Sequence, residues 1–446
     1  MPKLIVLNIS TEQMMGGVIN PEFLIRALKR PDRNSWLADE DDIIVASSQI
    51  SSEFLNYVSE NYGYSNNKIK VITPKKSSSN PQILSDEVLL SDDIINSLKS
   101  EMCIEKKWNL CACYQTSGLI ELCRKLNIDM PSGFEFIEQK GPDLFNRKSH
   151  FRRIAAGINL SIPKGFVVSN PLSLASSINN LIDETGILII KQDRGGGGMG
   201  NLALTKTKDR QLPGVSKVIP FDLSIEEHAE KIWSELTDSW NNELVIECYH
   251  KSSVALYCEY FIDSNGQPSF LSNGSIRVEK DQSNPLGEMK WIGLEIPAIL
   301  PLSTNLKVVS EATRLANQMG QIGYRGYVNI DMIVTLDNEY IFNEINARWG
   351  GGTAMHFIGN KLLGKNYMNE YYLSSLREVP SKSFQEALHI LKSNDLKFNM
   401  QRKTGVIILR PSIYLDNSIE CLIIEKSIEK VRAIENKILI LFQGDR

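Results

Sequence analysis

The residues best placed to do chemistry lie between Tyr327 and Ala347. Val328, Ile330, Met332 and Val334 alternate with Tyr327, Asn329, Asp331 and Ile333, which predicts a strand with an apolar face and a face carrying Asp331. A second strand follows Leu336-Asp337-Asn338-Glu339. A two-residue turn at Asp337-Asn338, a favoured hairpin connection, sets Asp331 opposite Glu344 and Asn329 opposite Asn346. The same alternation lines Glu344, Asn346 and Arg348 along one face. Carboxylates paired in this way, with Cβ atoms roughly 5 Å apart, repel unless something positive sits between them. Two carboxylates and an amide, completed by water and phosphate oxygens, form the kind of oxygen shell that Mg²⁺ prefers. Asp331, Glu344 and Asn346 are therefore the candidate metal ligands. A solvated edge where the charges splay apart, or a salt bridge from Arg348, is the plainer alternative.

A second constellation begins at Ile187-Leu188-Ile189-Ile190, a short apolar run suited to a strand buried on both faces and closed by Lys191. Arg194 and Gly195-Gly196-Gly197-Gly198-Met199-Gly200 follow, then Leu202 and Leu204 in alternation. As letters, Gly195-x-Gly197-x-x-Gly200 matches the dinucleotide fingerprint, which has meaning only when a helix comes next; here a strand does. A glycine hairpin between strands instead suits a flap whose bare N–H groups fold over phosphate oxygens. Lys191, directly before it, would set an ammonium where nucleotide phosphates lie. A ligand-free loop and a snorkelling surface lysine would look the same in sequence. Lys148, taken alone, is a helix-start lysine like many others.

These residues need a frame. The first part alternates apolar runs and helical stretches, Leu4 to Ile9, Pro21 to Leu28, Ile43 to Ala46, Phe54 to Val58 and Ile69 to Ile72, the rhythm of a parallel, helix-covered sheet. Pro74 to Gln82 reads as a surface loop. Asn109 to Tyr114 and Leu119 to Leu126 add one more strand and helix, and a boundary is expected near residue 140. Beyond it, Asp143 or Asn146 is a candidate cap for a helix through Ala156 that Gly157 would end. After about residue 380 only weak strand signals remain, Val406 to Leu409 and Cys421 to Ile424.

The bulk numbers remove several classes. At 446 residues the chain has room for two or three units and a cleft between them. Its 49 Lys and Arg nearly balance 53 Asp and Glu, so the net charge of -4 gives no electrostatic reason to expect nucleic acid. No apolar run approaches a membrane span, and Met1 to Leu7 is too short for a signal peptide, so a buried first strand is expected. Seven scattered cysteines suit small buried hydrophobes in a reducing, cytoplasmic compartment.

Strand-end lysine, glycine flap, downstream hinge, and Asp with a later Glu-x-Asn-x-Arg, in this order over residues 144–360, resemble the ATP-grasp superfamily. The resemblance implies an α/β fold, α+β in the ligase part: a Rossmann-like pre-ATP-grasp domain followed by a two-lobed ATP-grasp fold. It implies ATP and Mg²⁺ as cofactors. Lys148 and Lys191 match the lysines that hold the phosphates, Gly195, Gly196, Gly197, Gly198, Met199 and Gly200 the flap, and Glu247, Cys248 and Tyr249 the hinge that holds adenine. Asp331, Glu344 and Asn346 match the metal ligands, and Arg348 the arginine that steadies the transferred phosphoryl group. Position 254, where many relatives carry a ribose-binding acid, is Val; Ser252 or Ser253 is the substitute. The front half, Phe342 to His356, and Thr404 to Ile408 further resemble the pheganomycin-type peptide ligases.

The domains expected are residues 1–140, 141–375 for the ATP-grasp part, and 376–446 as a segment packing on it. The activity implied is amide formation from a small carboxylate and an amine, an amino acid or peptide, through an acyl phosphate, with no nucleic-acid or membrane partner; a homodimer is compatible with it. Another ATP-grasp reaction, with a thioester or nonpeptide amine product, and a regulatory nucleotide-binding module are the rivals. Arg277 is a candidate for binding the acyl phosphate or a substrate carboxylate, an exposed strand-end arginine being the alternative. The N–H groups of Gly350 to Thr353, before an expected helix, are candidates to receive a carboxylate or phosphate. His356, one turn in, is expected to pack.

Overall fold

The computed structural model describes residues 1–9, 11–16, 24, 28, 31–64, 68–75, 82–103, 105–196, 198, 200–209, 212–280 and 289–443. Most of the helical stretch expected from Pro21 to Leu28 and most of the loop from Pro74 to Gln82 lie outside these residues, as do Gly197 and Met199 of the glycine loop. Among the described residues, the strands form three sheets that follow one another along the chain.

The first sheet holds β1 (Lys3–Val6), β2 (Ile43–Val45), β3 (Lys70–Ile72) and β4 (Asn109–Ala112), all parallel, in the order β3-β2-β1-β4. Both faces are covered, as a parallel sheet requires. Leu4, Val6, Ile43 and Val45 pack against Leu89, Ile94, Leu98 and Leu119, while Ile5 and Ile44 face Trp36 and Phe54. The helices Ser52–Asn61 and Asp92–Glu101 start where Ser51 and Ser91 accept N–H bonds from Phe54 and Ile94.

The second sheet holds β5 (Gly165–Val168), β6 (Ile187–Gln192), β7 (Asn201–Thr205), β8 (Lys217–Pro220) and β9 (Leu244–Cys248), in the order β5-β9-β6-β7-β8. Helices Pro171–Thr185 and Ile225–Leu236 bury Leu174, Ile178, Leu181 and Ile232 against Leu188, Ile190, Leu204 and Ile246. The expected cap of the helix before this sheet is corrected. The helix runs Lys148–Gly157, and neither Asp143 nor Asn146 caps it. Asp193, fully buried at the end of β6, accepts the Ser149 N–H at 2.8 Å, and its carbonyl accepts that of Lys148. The chain turns left-handed at Asn159 (φ 54°) and not at Gly157.

The third sheet holds β10 (Ser252–Ile262), β11 (Pro268–Glu279), β12 (Lys290–Ile296), β13 (Gly326–Thr335), β14 (Tyr340–Asn346), β15 (Tyr372–Pro380), β16 (Gly405–Pro411) and β17 (Ser418–Glu425). Its order is β14-β13-β10-β11-β12-β15-β17-β16. Helix Leu302–Ile322 covers one face, with Val308, Ala312, Leu315 and Met319 against Leu256, Cys258, Tyr260 and Ile330. The weak strand signals near the end become β16 and β17, which continue this sheet through β15; position 376 falls inside that strand. These strands also pack against the front sheet's helix. Trp36 Nε1 donates to the Leu409 carbonyl at 2.9 Å, and the Ile408 N–H donates to Tyr57 Oη at 3.0 Å. Each such fully buried aromatic or aliphatic side chain contributes roughly 1.5–3 kcal/mol, so the start and end of the chain share one core.

Candidate active site

β13 and β14 meet with Asp331 opposite Glu344 and Asn329 opposite Asn346, the expected register. The turn that was to produce it is corrected. Thr335 pairs with Glu339 across a three-residue loop in which Asn338 is left-handed (φ 62°), which offsets the strands by one. An irregularity between Asp331 and Met332 leaves Asn343 unpaired and restores the offset just before the carboxylates. Asp331 accepts amide bonds from Asn329 (2.7 Å) and Asn346 (2.8 Å). Glu344 faces the Lys148 ammonium at 3.1 Å. Burial and the neighbouring Glu344 charge push the Asp331 carboxyl well above the usual carboxylate range. Burial acts on Glu344 in the same direction, but the charges of Lys148, Lys191 and Arg348 outweigh it and hold its carboxyl well below the usual range. The protein alone thus stabilises one negative charge of this pair and leaves the other uncompensated.

The cations come from three places. Lys148 starts its helix under the Asp193 cap, buried to 8% exposure, with Nζ 3.4 Å from the Gly195 carbonyl. Lys191 on β6 is buried and forms an ion pair with Glu247 at 2.6 Å. Arg348 follows β14, and Asn146 steadies it, accepting from Arg348 Nη1 at 2.9 Å and the Ala347 N–H at 3.0 Å. The glycine loop joins two antiparallel strands, as expected, and the Gln192 N–H closes it on the Gly200 carbonyl at 2.8 Å. Gly198 (φ 77°) adopts a conformation that side chains disfavour. Arg348 reaches the loop, since a Cβ on Gly196 would stand 3.6 Å from its Nη2.

Glu247, Cys248 and Tyr249 lie where the second sheet hands over to the third; the strand itself extends through Cys248. Glu247, 1% exposed, bonds Arg152 at 2.7 Å as well as Lys191. A cavity of about 490 Å³ opens between the two sheets, lined by Lys191, Gly198, Glu247, Cys248, Tyr249 and Ser252 on one side. On the other it is lined by Asp331, Glu344, Asn346 and Arg348, so the structure brings most of the candidate residues to one space. Ser252 lines the cavity, whereas the Ser253 hydroxyl is bonded to the Val334 and Thr335 carbonyls.

One expectation is overturned. Arg277 does not reach the cavity. Ile276 and Val278 on either side of it line the cavity, so alternation turns Arg277 to the opposite face. There it bonds Ser374 at 2.8 Å and forms an ion pair with Glu435 of the last helix. The N–H groups at Gly350 to Thr353 are partly engaged within their own turn, Gly350 donating to the Thr353 hydroxyl at 2.9 Å and Thr353 to the Gly350 carbonyl at 3.4 Å. Helix Thr353–Leu363 begins over the chain's own Glu259, whose Oε1 accepts from the Thr353 hydroxyl at 2.9 Å. Burial pushes Glu259 up to about 7. His356 packs, with Nδ1 3.2 Å from Tyr367 Oη, and burial lowers it to about 4.

Sequence reasoning missed Glu259, Arg152 and Arg33. Alternation along β10 sets Glu259 on the face of Tyr257 and beside Asn329, a signal visible once β10 is read as a strand. Arg33 donates to the Gly351 carbonyl at 2.7 Å and pairs with Glu420, contacts more than 300 residues away that no local pattern announces.

The donor set suits a hard divalent cation: carboxylates and amides, one of the acids left uncompensated. Asn346 turns its amide nitrogen to Asp331, so its oxygen would face a metal only after rotation of the terminal amide. Among the described residues no three His, Cys, Asp or Glu converge to hold a metal, so water and phosphate oxygens must complete any shell.

Residues 31–128 match the family model for the pre-ATP-grasp domain. No curated protein matches the chain. Several solved structures match over nearly its whole length. One is an ADP complex of N5-carboxyaminoimidazole ribonucleotide synthetase, 12% identical with a TM-score of 0.56 over 99% of this chain and 97% of that one. Another is biotin carboxylase from Campylobacter jejuni, 13% identical with a TM-score of 0.56 over 98% and 90%. A third is L-amino acid ligase from Bacillus licheniformis, 13% identical with a TM-score of 0.51 over 98% and 96%. At such identities the likeness is one of fold. Residues 31–128 thus match a pre-ATP-grasp domain, and the chain as a whole shares the fold of these solved structures.

Proposed function

We propose that this chain is an ATP-dependent carboxylate–amine ligase acting through an acyl phosphate in a reducing, cytoplasmic compartment. Its units would be a front domain at 1–140, the ligase at 141–375, and a segment at 376–446 that extends the ligase sheet. The supporting observation is the meeting of Lys191, Arg348 and the opposed Asp331–Glu344 pair on one cavity between two sheets. A module that only sensed nucleotide would have no need of this complete set.

The tasks of the chain's own residues are positioning and charge neutralisation. Cys248 and Tyr249, at the junction of the sheets, would flank the base. Lys191, oriented by Glu247, and Lys148, oriented by Glu344, would balance the phosphates. The glycine hairpin would close over them and exclude water. Mg²⁺ held by Asp331, Glu344 and Asn346 would supply charge neutralisation for the phosphate oxygens. Arg348, steadied by Asn146, would offset charge on the transferred phosphoryl group. In the reaction a substrate carboxylate oxygen attacks the terminal phosphorus of ATP and ADP leaves. An amine then attacks the acyl carbon, phosphate departs, and the amine gives up a proton.

The fold alone leaves the substrates open, since the structures it resembles are named for an amino acid, biotin and a carboxyaminoimidazole. Mass spectrometry of carboxylate and amine pairs incubated with ATP and magnesium, alongside phosphate release, tests the reading. Condensation products coupled to phosphate release are expected. Turnover that survives both Asp331→Ala and Glu344→Ala would refute the metal assignment.

A further inference from the structure

Past the charged cluster the cavity changes character. Ile276 and Val278 of β11, Trp291 and Leu294 of β12, and Trp349 line it there. A Cβ on Gly351 would lie 2.9 Å from Leu294 Cδ1 and 3.8 Å from the Trp291 ring edge, so this wall stands against the turn that follows Arg348. Trp291 is fixed in place. Its indole N–H donates to the Gly293 carbonyl at 2.9 Å, and the Arg377 guanidinium lies 4.0 Å over the ring. Ile276, Val278 and Trp291 are only partly buried, which leaves apolar surface facing the cavity. The buried indole N–H of Trp349 has no partner in the protein, a donor waiting on a polar atom. None of these wall residues is charged, and the charged residues lining the cavity include Lys191 and Glu247, which pair with each other.

β11 and β12 lie two and three strands beyond β13 in the sheet order, roughly 10–14 Å at the usual strand spacing. The wall is therefore remote from the Asp331–Glu344 pair along the sheet, yet adjacent to the Arg348 turn. A nucleotide seated at the Cys248–Tyr249 hinge with its phosphates at the metal pair leaves this end for the group that receives the phosphoryl. Resting on the ligase reading, we propose that the wall receives the side chain of an amino-acid-like carboxylate substrate, and that this side chain is uncharged and apolar: branched aliphatic or aromatic. The substrate's carboxylate is directed toward Arg348, and the Trp349 N–H meets a polar atom beside it.

Hydroxylamine, which converts an acyl phosphate to a hydroxamate, reads the carboxylate step whatever the natural amine. The full chain is assayed with ATP, magnesium and hydroxylamine against glycine, alanine, valine, leucine and phenylalanine, and against aspartate, glutamate and lysine. Hydroxamate formation is expected to rise in kcat/KM about fourfold for each apolar carbon added from glycine to leucine, with the charged acids about 100-fold below leucine. Charged acids used as well as leucine overturn the apolar assignment and leave the ligase reading standing; no hydroxamate from any acid overturns both. Val278→Asp places a carboxylate on the partly exposed wall and is expected to lower kcat/KM for leucine at least tenfold and raise it for lysine, with the KM for ATP unmoved. An unchanged preference in a folded Val278→Asp protein overturns the proposal, and the wild-type series decides it if that variant does not fold.

Discussion

Glu247→Gln isolates the electrostatic joint between the hinge and the phosphate end of the cavity. The carboxylate, 1% exposed, binds Lys191 at 2.6 Å and Arg152 at 2.7 Å, and both cations are themselves buried. Glutamine keeps the shape and one acceptor oxygen but removes the charge, so two buried cations lose their common partner. Breaking a buried pair from one side costs about 3–5 kcal/mol. The retained acceptor argues for the lower end, about 3 kcal/mol, which at about 2–4 °C per kcal/mol lowers the transition of a lobe-sized unit by roughly 6–12 °C. Because the pair is buried, added salt should change the difference little. Calorimetry of the wild type, Glu247→Gln, Lys191→Met and the double variant completes the cycle. Lys191→Met removes one of the stranded cations, so the double variant should be more stable than additivity predicts by at least about 1 kcal/mol. A Glu247→Gln protein melting within about 1 °C of wild type, or strict additivity, would refute the reasoning.

Three further outcomes are expected. Gly198→Ala forces a side chain into a left-handed position with its Cβ 3.0 Å from the Gly214 carbonyl; at about 1–2 kcal/mol of strain, the KM for ATP in the phosphate-release assay should rise about tenfold as the closed hairpin is disfavoured. Glu259 is raised by burial to about 7, so its contribution to stability is complete below the unfolded carboxylate value near 4.5 and is lost as pH rises through 7. Urea titrations should show wild type losing stability over that window relative to Glu259→Gln. Arg33→Met removes the bond to the Gly351 carbonyl and takes one of the cations from the buried Glu420, leaving it with Arg410 and Arg377; denaturation midpoints should fall by the equivalent of about 1–3 kcal/mol, and turnover should fall with loss of order at the glycine turn.

The local patterns carried a good deal of this. Ile187 to Ile190 is buried on both faces because a continuous apolar run has no solvent side to choose, and its strand assignment needed no partner. Alternation from Val328 to Val334 fixed which face carries Asp331, since period-two geometry belongs to a strand wherever it lies. Yet the pairing of Asp331 with Glu344 arises through a longer turn and an unpaired Asn343, two offsets that cancel, so the expected register holds for a different reason from the one the spacing suggested.

What depends on distant chain was settled only by packing. Asp193 caps the Lys148 helix from 44 residues away, where the sequence offered Asp143 and Asn146 as nearer candidates. Arg277 has the right type and neighbourhood for catalysis but the wrong parity on its strand, and Glu435 claims it. Glu259 reaches the Thr353 hydroxyl at the start of its helix because β10 runs beneath it. Side-chain type and periodicity determine what a residue can do and which way it faces within its own element. Which partner it meets is decided when the sheets and helices close over it, since burial makes each charge take the nearest compensating group that three dimensions provide.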